Sequence, residues 1–324
     1  MARAREAGRS RDFLKRVAGA VCRLPPDRYL LAVSGGRDSM VLLDAFTRFR
    51  TDAVAAATFD HGTGPAATKA ALLVELEGER RKVAVVSGRR EDGGDSGEAA
   101  WRAARWEFLT GWAKELSARV VTAHTLDDQL ETVVMRVLRD PRNTSARGLA
   151  AMYARSPVVR PLIDVRRANI AAYARSIQVR FLDDPSNLSG VHLRNRVRLD
   201  LLPALERACP GFGEEMIRLS RAAATWRESV ERIVDTLDVK LLPPLVVPIE
   251  PLATLPAESI AVLWPAIAAR AGVALDWRGT ERIVAFTLAG RPGGRIPLSG
   301  GAELSRTAST FVLRASTAGE ALYS

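Results

Sequence analysis

A chain of 324 residues with 47% hydrophobic and 26% charged side chains is long for one domain, comfortable for two, and balanced like a soluble globular protein. No apolar run reaches membrane-spanning length, and two isolated cysteines, Cys22 and Cys209, exclude a CxxC-held zinc or iron–sulfur site. The formal net charge of +10 favours a polyanionic partner, RNA or DNA, over an arginine usage that merely follows genome composition.

The Arg-rich N-terminus lacks the apolar core of a signal peptide. Phe13, Leu14, Val17 and Val21 read as one face of a helix, with an organellar transit peptide as the alternative. A cytoplasmic protein with both thiols reduced and buried is expected. Residues 29–33 form an apolar run of strand length, followed by Ser34-Gly35-Gly36-Arg37-Asp38-Ser39. Met40, Val41, Leu42, Leu43, Ala45 and Phe46 then read as the buried side of a helix. A strand, a glycine turn and a helix start suit phosphate, because glycine allows close backbone approach and the first helical N–H groups point at the anion. Ser39 brings a hydroxyl near the N-cap, and Asp38 a carboxylate where a magnesium ion or a substrate amine could be met. No Lys follows the second glycine, so this is not a Walker A loop, and the three spaced glycines of a dinucleotide fingerprint are missing. An ordinary strand-to-helix turn is the alternative.

Residues 53–59 read as a second strand ending at Asp60-His61-Gly62, residues 66–80 as a helix and residues 83–86 as a third strand. A Gly- and Asp-rich loop at 87–97 leads into a helix at 98–116. Arg102 and Arg105 lie three apart on that helix, either to stabilise negative charge or as surface arginines. A fourth strand at 119–123 and a helix at 125–139 follow, with Leu126, Leu130, Val134 and Val137 facing the sheet. This alternation predicts a parallel sheet covered on both faces, with ligands bound beyond the carboxyl ends of its strands. Residues 34–39, 60–62 and 124–131 all fall there. Asp127, Asp128 and Glu131, beside His124, would repel one another unless a cation or amine joined them. A metal or ammonium site is therefore expected, in preference to an acidic first turn that only complements the helix dipole.

Residues 142–198 hold eleven arginines against three acids, a local net charge of +8. Asp184-Pro185-Ser186-Asn187 reads as a turn, and Arg194-Asn195-Arg196-Val197-Arg198 as the basic start of a helix. Basic residues there oppose the helix dipole, so an anionic partner is expected rather than a solvated basic face. Residues 206–239 read as a connecting helix, and Pro243, Pro244, Pro248 and Pro251 as a boundary. Residues 252–287 read as helical, and 295–313 as short strands joined by Gly300-Gly301.

The strand, Ser34-Gly35-Gly36-x-Asp38-Ser39 and helix resemble the PP-loop of the ATP pyrophosphatases, which split ATP between its α and β phosphates and adenylate a substrate oxygen. Further segments occur in a fixed order behind it: His124-x-x-Asp127-Asp128-Gln129-x-Glu131-Thr132, Arg147-Gly148-Leu149 with Met152, Arg160-Pro161-Leu162, Asp184-Pro185-Ser186-Asn187 and Arg194-Asn195-Arg196-Val197-Arg198. Over roughly the first 205 residues this series resembles the tRNA(Ile)-lysidine synthetase family. The resemblance implies an α/β fold: a parallel-sheet PP-loop domain of the adenine nucleotide α-hydrolase type at 1–205, a helical connector at 206–242 and a small α+β domain at 243–324 that contacts tRNA. It implies ATP-dependent ligation of lysine to C2 of the wobble cytidine of CAU-anticodon tRNA(Ile), through an adenylated intermediate, with release of AMP and pyrophosphate. Ser34, Gly35, Gly36, Arg37, Asp38 and Ser39 would bind ATP. Asp38, which would also hold Mg2+, is expected to be catalytic with Arg102 and Arg105. His124, Asp128 and Glu131 would bind free L-lysine, and Arg194, Arg196 and Arg198 would grip tRNA. The oligomeric state stays open, a dimer included. Departures from the family pattern are Thr63-Gly64 after His61-Gly62, Thr125 where many members have a second His, and Trp101 at a normally small position. A PP-loop thiolase and a non-catalytic RNA-binding protein with a relict loop are the alternatives.

Overall fold

The computed structural model describes residues 2–62, 64–90, 97–139, 146–182, 193–240 and 244–315. The chain divides into two compact units, Met1–Met135 with Arg155–Ile217, and Arg136–Ala154 with Arg218–Ser324.

In the first part of the chain, helices and strands alternate: α1 (Ala2–Cys22), β1 (Tyr29–Ala32), α2 (Arg37–Phe49), β2 (Ala53–Asp60), α3 (Pro65–Arg81), β3 (Ala84–Arg89), α4 (Glu98–Glu115), β4 (Arg119–Val121) and α5 (Leu126–Arg139). The sheet is parallel in the order β3-β2-β1-β4, with Leu31 of β1 opposite Ala56 on one side and Val121 on the other. Val159 adds a parallel bridge outside Val121. Strand β1 is apolar on both sides because both faces are covered. Tyr29, Leu31 and Val33 enter a core with Val17, Val41 and Phe46, whereas Leu30 enters a second core with Ala55, Leu109 and Val120 beneath α4. Helices α6 (Ala146–Ala150), α7 (Arg167–Ser176), α8 (Leu193–Arg196) and α9 (Leu202–Ala208) follow, a π-helical turn at Val197–Leu201 joining the last two.

Helix α2 is anchored by a buried charge. The Asp44 carboxylate accepts hydrogen bonds from Tyr173 Oη of α7 at 2.7 Å and from Arg81 at the end of α3 at 2.9 Å. Such a pair is retained only when its hydrogen bonds are satisfied, and here they fix three helices on one face of the sheet. The first turn of α2 is thereby held at the sheet's carboxyl edge.

The second part holds α10 (Phe212–Asp235), β5 (Leu245–Pro248), α11 (Glu250–Ala253), α12 (Ala257–Arg270), α13 (Trp277–Ala289), β6 (Arg295–Pro297), β7 (Glu303–Arg306) and β8 (Thr310–Arg314). Its sheet is antiparallel in the order β5-β8-β7-β6 and packs with Ile260, Trp264 and Ile283 in one core. Among the described residues, no helix is long and apolar enough to cross a membrane.

Three expectations are corrected. The helix read over 206–239 is two helices, α9 and α10, parted at Cys209-Pro210-Gly211, where proline lacks an N–H and Gly211 takes φ +88°. The proline-rich boundary contains strand β5, which tolerates Pro248 because it lies at the sheet's edge. Cys22 and Cys209 are exposed free thiols, each at the C-terminal end of a helix.

Candidate active site

Three chain segments meet the carboxyl ends of β1, β2 and β4. The first is the 34–39 loop. Ser39 is its keystone: the hydroxyl donates to the Gly36 carbonyl at 2.9 Å and accepts the Ser34 N–H at 3.1 Å. Gly35 has φ +78°, and a Cβ there would stand 2.8 Å from the carbonyl oxygen of Ala70 on α3. Only glycine fits. Gly36 caps α2 without a side-chain hydrogen bond, so the N–H groups of the first turn lack intrahelical acceptors and remain a seat for an anion.

The second segment, at the end of β2, is structural in part. Asp60 accepts the Gly62 N–H at 2.9 Å and the Thr68 hydroxyl at 2.8 Å. His61 stacks edge-on against Phe59 at 5.2 Å, and its buried Nδ1 has no hydrogen-bond partner among the described residues.

The third segment is the start of α5. Thr125 is its N-cap and forms a reciprocal pair with Asp128: the Thr125 N–H and hydroxyl donate to Oδ2 at 2.8 and 2.7 Å, while the Asp128 N–H reaches back to the hydroxyl at 3.3 Å. The threonine that departs from the family pattern is thus the helix cap. With Oδ2 committed, Oδ1 accepts one N–H each from Arg167 at 2.8 Å and Arg194 at 2.9 Å. Glu131 is shared in the same way, Oε1 with Arg167 at 2.9 Å and Oε2 with Arg194 at 2.8 Å. The cation that the acidic cluster requires is supplied by the chain itself.

Arg167 is the residue that sequence reasoning missed. Its guanidinium also lies 3.6 Å from Asp38, and its backbone N–H donates to Asp127 at 2.6 Å. It therefore joins the 34–39 loop to α5. Nothing in the run of eleven arginines marked it out, because its role depends on α7 beginning at the sheet edge.

The structure separates the three arginines expected to grip RNA. Arg194 is turned onto Asp128 and Glu131, Arg196 is exposed, and Arg198 lines a groove of about 400 Å³ with Asp127, Glu131, Arg167 and Glu206. Asp184-Pro185-Ser186-Asn187 and the side chain of Arg147 lie outside the described residues. Among the described residues, no group of three or more Asp, Glu, His or Cys side chains is placed to hold a metal.

Burial raises Asp38 above the ordinary carboxylate range against the pull of Arg37 and Arg167. Asp128 moves the other way: burial would raise it, but Arg167, Arg194 and the Thr125 hydrogen bonds together hold it low. His124, whose Nδ1 lies 2.8 Å from the Thr122 hydroxyl, is pushed down to about 4, first by burial and then by Arg160, Arg194 and Arg105, with only Asp128 opposing. A histidine lowered in the folded state is neutral there while the unfolded chain takes up its proton. Its contribution is present above the ordinary value of 6.5 and is lost as pH falls from there to about 4. The unfolding free energy of the wild type relative to His124→Gln is expected to fall by about 3 kcal/mol between pH 7 and pH 4, measured by urea titration.

Comparison with known proteins places the site in context. A family model described as a PP-loop domain matches residues 10–205. The tRNA(Ile)-lysidine synthase of Parasynechococcus marenigrum is 33% identical over 217 residues, covering 63% of this chain and 64% of that protein. The enzyme of the same name from Rhodopseudomonas palustris is 38% identical over 223 residues, covering 64% of this chain and 62% of its own length. The one from Thermus thermophilus is 34% identical over 226 residues and is covered to 43%. The chain thus spans less than two thirds of these relatives. Among solved structures, the U34-tRNA thiolase NcsA of Methanococcus maripaludis superposes with a TM-score of 0.54 at 17% identity, covering 65% of this chain and 80% of that one, a likeness of fold.

Proposed function

This chain belongs to the PP-loop domain family, and on that premise we propose that it ligates lysine to C2 of the wobble cytidine of a CAU-anticodon tRNA(Ile), at the expense of ATP. The observation that supports the reading is the junction at Arg167, whose guanidinium meets Asp38 in the first turn of α2 and the carboxylates of Asp128 and Glu131 on α5.

In the first step the cytidine O2 attacks the α-phosphorus, the α–β bridge breaks, and pyrophosphate leaves toward the 34–39 loop. In the second step the ε-amine of lysine attacks C2, the C2–O bond breaks, and AMP departs with its oxygen. The amine gives up a proton along the way, for which the neutral His124 and the carboxylates of α5 are the nearby acceptors. Asp38 suits Mg2+ in the usual manner, one carboxylate plus substrate phosphate oxygens rather than an all-protein cage, and the ion would neutralise charge on the phosphates. Arg196 and Arg198 would position tRNA phosphates.

Asp128 and Glu131 already hold two guanidinium groups, so an incoming ammonium takes the place of one. Arg194 is the one to yield, with a side chain 40% exposed against 15% for Arg167. Arg194→Gln is accordingly expected to lower the KM for lysine several-fold while leaving the KM for RNA near its wild-type value, a split read from initial rates with each substrate varied in turn.

The reading itself is tested by transfer of radiolabelled lysine to a CAU-anticodon isoleucine tRNA transcript with ATP and magnesium. Label that survives mild alkali establishes a C–N bond. Its absence, with RNA still bound, sinks the reading in favour of a binding protein.

A further inference from the structure

Helices α2 and α7 are joined by polar contacts at two levels. At the first, Arg167 Nε lies 3.6 Å from Asp38 Oδ2. At the second, the Tyr173 hydroxyl donates to Asp44 Oδ2 at 2.7 Å. Asp44 follows Asp38 by six residues, and Tyr173 follows Arg167 by six. The two contacts are therefore about 9 Å apart along each axis, and the helices run side by side in the same direction. The first contact belongs to the site. The second is deep in the core, with Tyr173 fully buried and Asp44 5% exposed, and neither residue takes part in the two chemical steps.

The ring of Tyr173 shares a core with Val17, Phe46 and Ile170, where a phenylalanine would fill the same space. What the hydroxyl adds is register. Apolar contacts hold two helices together but tolerate sliding, whereas a hydrogen bond to a buried carboxylate is lost on sliding and leaves desolvated charge behind. Asp44 is fixed from outside α7, by Arg81 of α3 at 2.9 Å and by Arg48 one turn on at 3.2 Å, and Arg81 in turn lies 2.9 Å from the buried Glu77. Burial, then the bond to Asp44, raises Tyr173 above the ordinary phenol range, so the tyrosine keeps its proton and remains the donor.

The other end of α7 is tied to α5. The Arg167 N–H donates to Asp127 at 2.6 Å, and the guanidinium reaches Asp128 and Glu131. Helix α2 carries Asp38 and α5 carries the acids, so α7 is the spacer between them, and its placement against α2 decides where Arg167 stands.

We propose that Tyr173 is a positioning residue: its hydrogen bond to Asp44 fixes the register of α7 against α2 and so places Arg167 between Asp38 and the carboxylates of α5. The consequence for catalysis, but not the register itself, rests on the proposed function.

The test compares the full chain as wild type, Tyr173→Phe and Ile170→Val. Tyr173→Phe keeps the ring and leaves Asp44 its two arginines. Ile170→Val trims a fully buried side chain of the same helix, so it lowers the melting temperature without touching the hydrogen bond. In protein labelled with 15N-arginine, the Nε–H resonance of Arg167 is assigned by its absence from Arg167→Lys. Its exchange with solvent is expected to speed up about tenfold in Tyr173→Phe and to stay at the wild-type rate in Ile170→Val. In lysine transfer, Tyr173→Phe is expected to lower kcat about ten- to a hundredfold, the usual cost of a small misplacement, while the KM values for ATP and lysine stay within about twofold. Unchanged exchange in Tyr173→Phe overturns the proposal, and so does equal acceleration in both variants, which marks a structural tyrosine. Faster exchange with kcat unaltered overturns the positioning role in the reaction. A wild type that transfers no lysine overturns the proposed function, and the exchange rates still decide the register.

Discussion

Glu131→Gln is expected to lower lysine transfer about a hundred- to a thousandfold while RNA-dependent pyrophosphate release continues. The Glu131 side chain is 3% exposed, and each of its oxygens receives one guanidinium, at 2.9 and 2.8 Å. Breaking a buried charge pair by neutralising one partner costs about 3–5 kcal/mol, because the surviving charges stay desolvated. Glutamine offers one acceptor where two stood and turns an NH2 toward a cation. On the proposed function, the lysine ammonium would compete with Arg194 for this carboxylate and would lose its better anchor. The 34–39 loop is untouched, so adenylation should proceed. Pyrophosphate release and label transfer measured on one sample separate the steps. Parallel loss of both would place Glu131 in the first step, and retention of both would put the lysine site elsewhere. Arg194→Gln combined with Glu131→Gln should regain stability without regaining transfer, since it removes the cation left unpaired.

The parallel sheet was legible because its strands contain short apolar runs, and burial on both faces leaves β1 no polar position, whereas the edge strand β3 is partly exposed and runs on through Ser87-Gly88-Arg89, which read as loop. Residues 29–33 and the helix behind Ser39 are apolar runs, and each lies within a residue or two of its expected place. The site was legible in its acids and its loop, because Asp38, Asp128 and Glu131 are few and their spacing is local. The basic half was not. Eleven arginines in one stretch look alike until α7 and α8 are placed, and only then do Arg167 and Arg194 face the carboxylates while Arg160 faces none. The cap of α5 is legible in the sequence, because Thr125-x-x-Asp128 ahead of an apolar stripe is a capping signal. Strand β5 was hidden by its prolines, whose cost is small at a sheet edge.

Arg167→Gln is expected to destabilise the fold by about 3–5 kcal/mol at pH 7 and to abolish both steps of the reaction. The guanidinium is the only described cation that touches Asp38, Asp128 and Glu131 together, at 3.6, 2.8 and 2.9 Å. Without it three carboxylates converge on one buried volume. The pH dependence tells a charge effect from a packing effect. In the wild type, Asp128 is held below its ordinary value of 3.8, so its contribution is complete above that value and is lost as pH falls through the lower, folded one. Removing Arg167 leaves burial less opposed, moving Asp128 upward and Asp38, already raised, further up. The variant's folded state then binds protons more readily than the wild type's does, so acidification costs it less stability than it costs the wild type. The gap between the two should be widest near neutrality and should narrow as the medium approaches pH 4, read from urea unfolding at a series of pH values. A gap that does not change with pH would mean that Arg167 acts by filling space. Arg167→Lys sharpens the distinction: a lysine keeps the charge and most of the pH profile, but one ammonium cannot reach both carboxylates of α5 as a planar fork does, so stability should return further than activity.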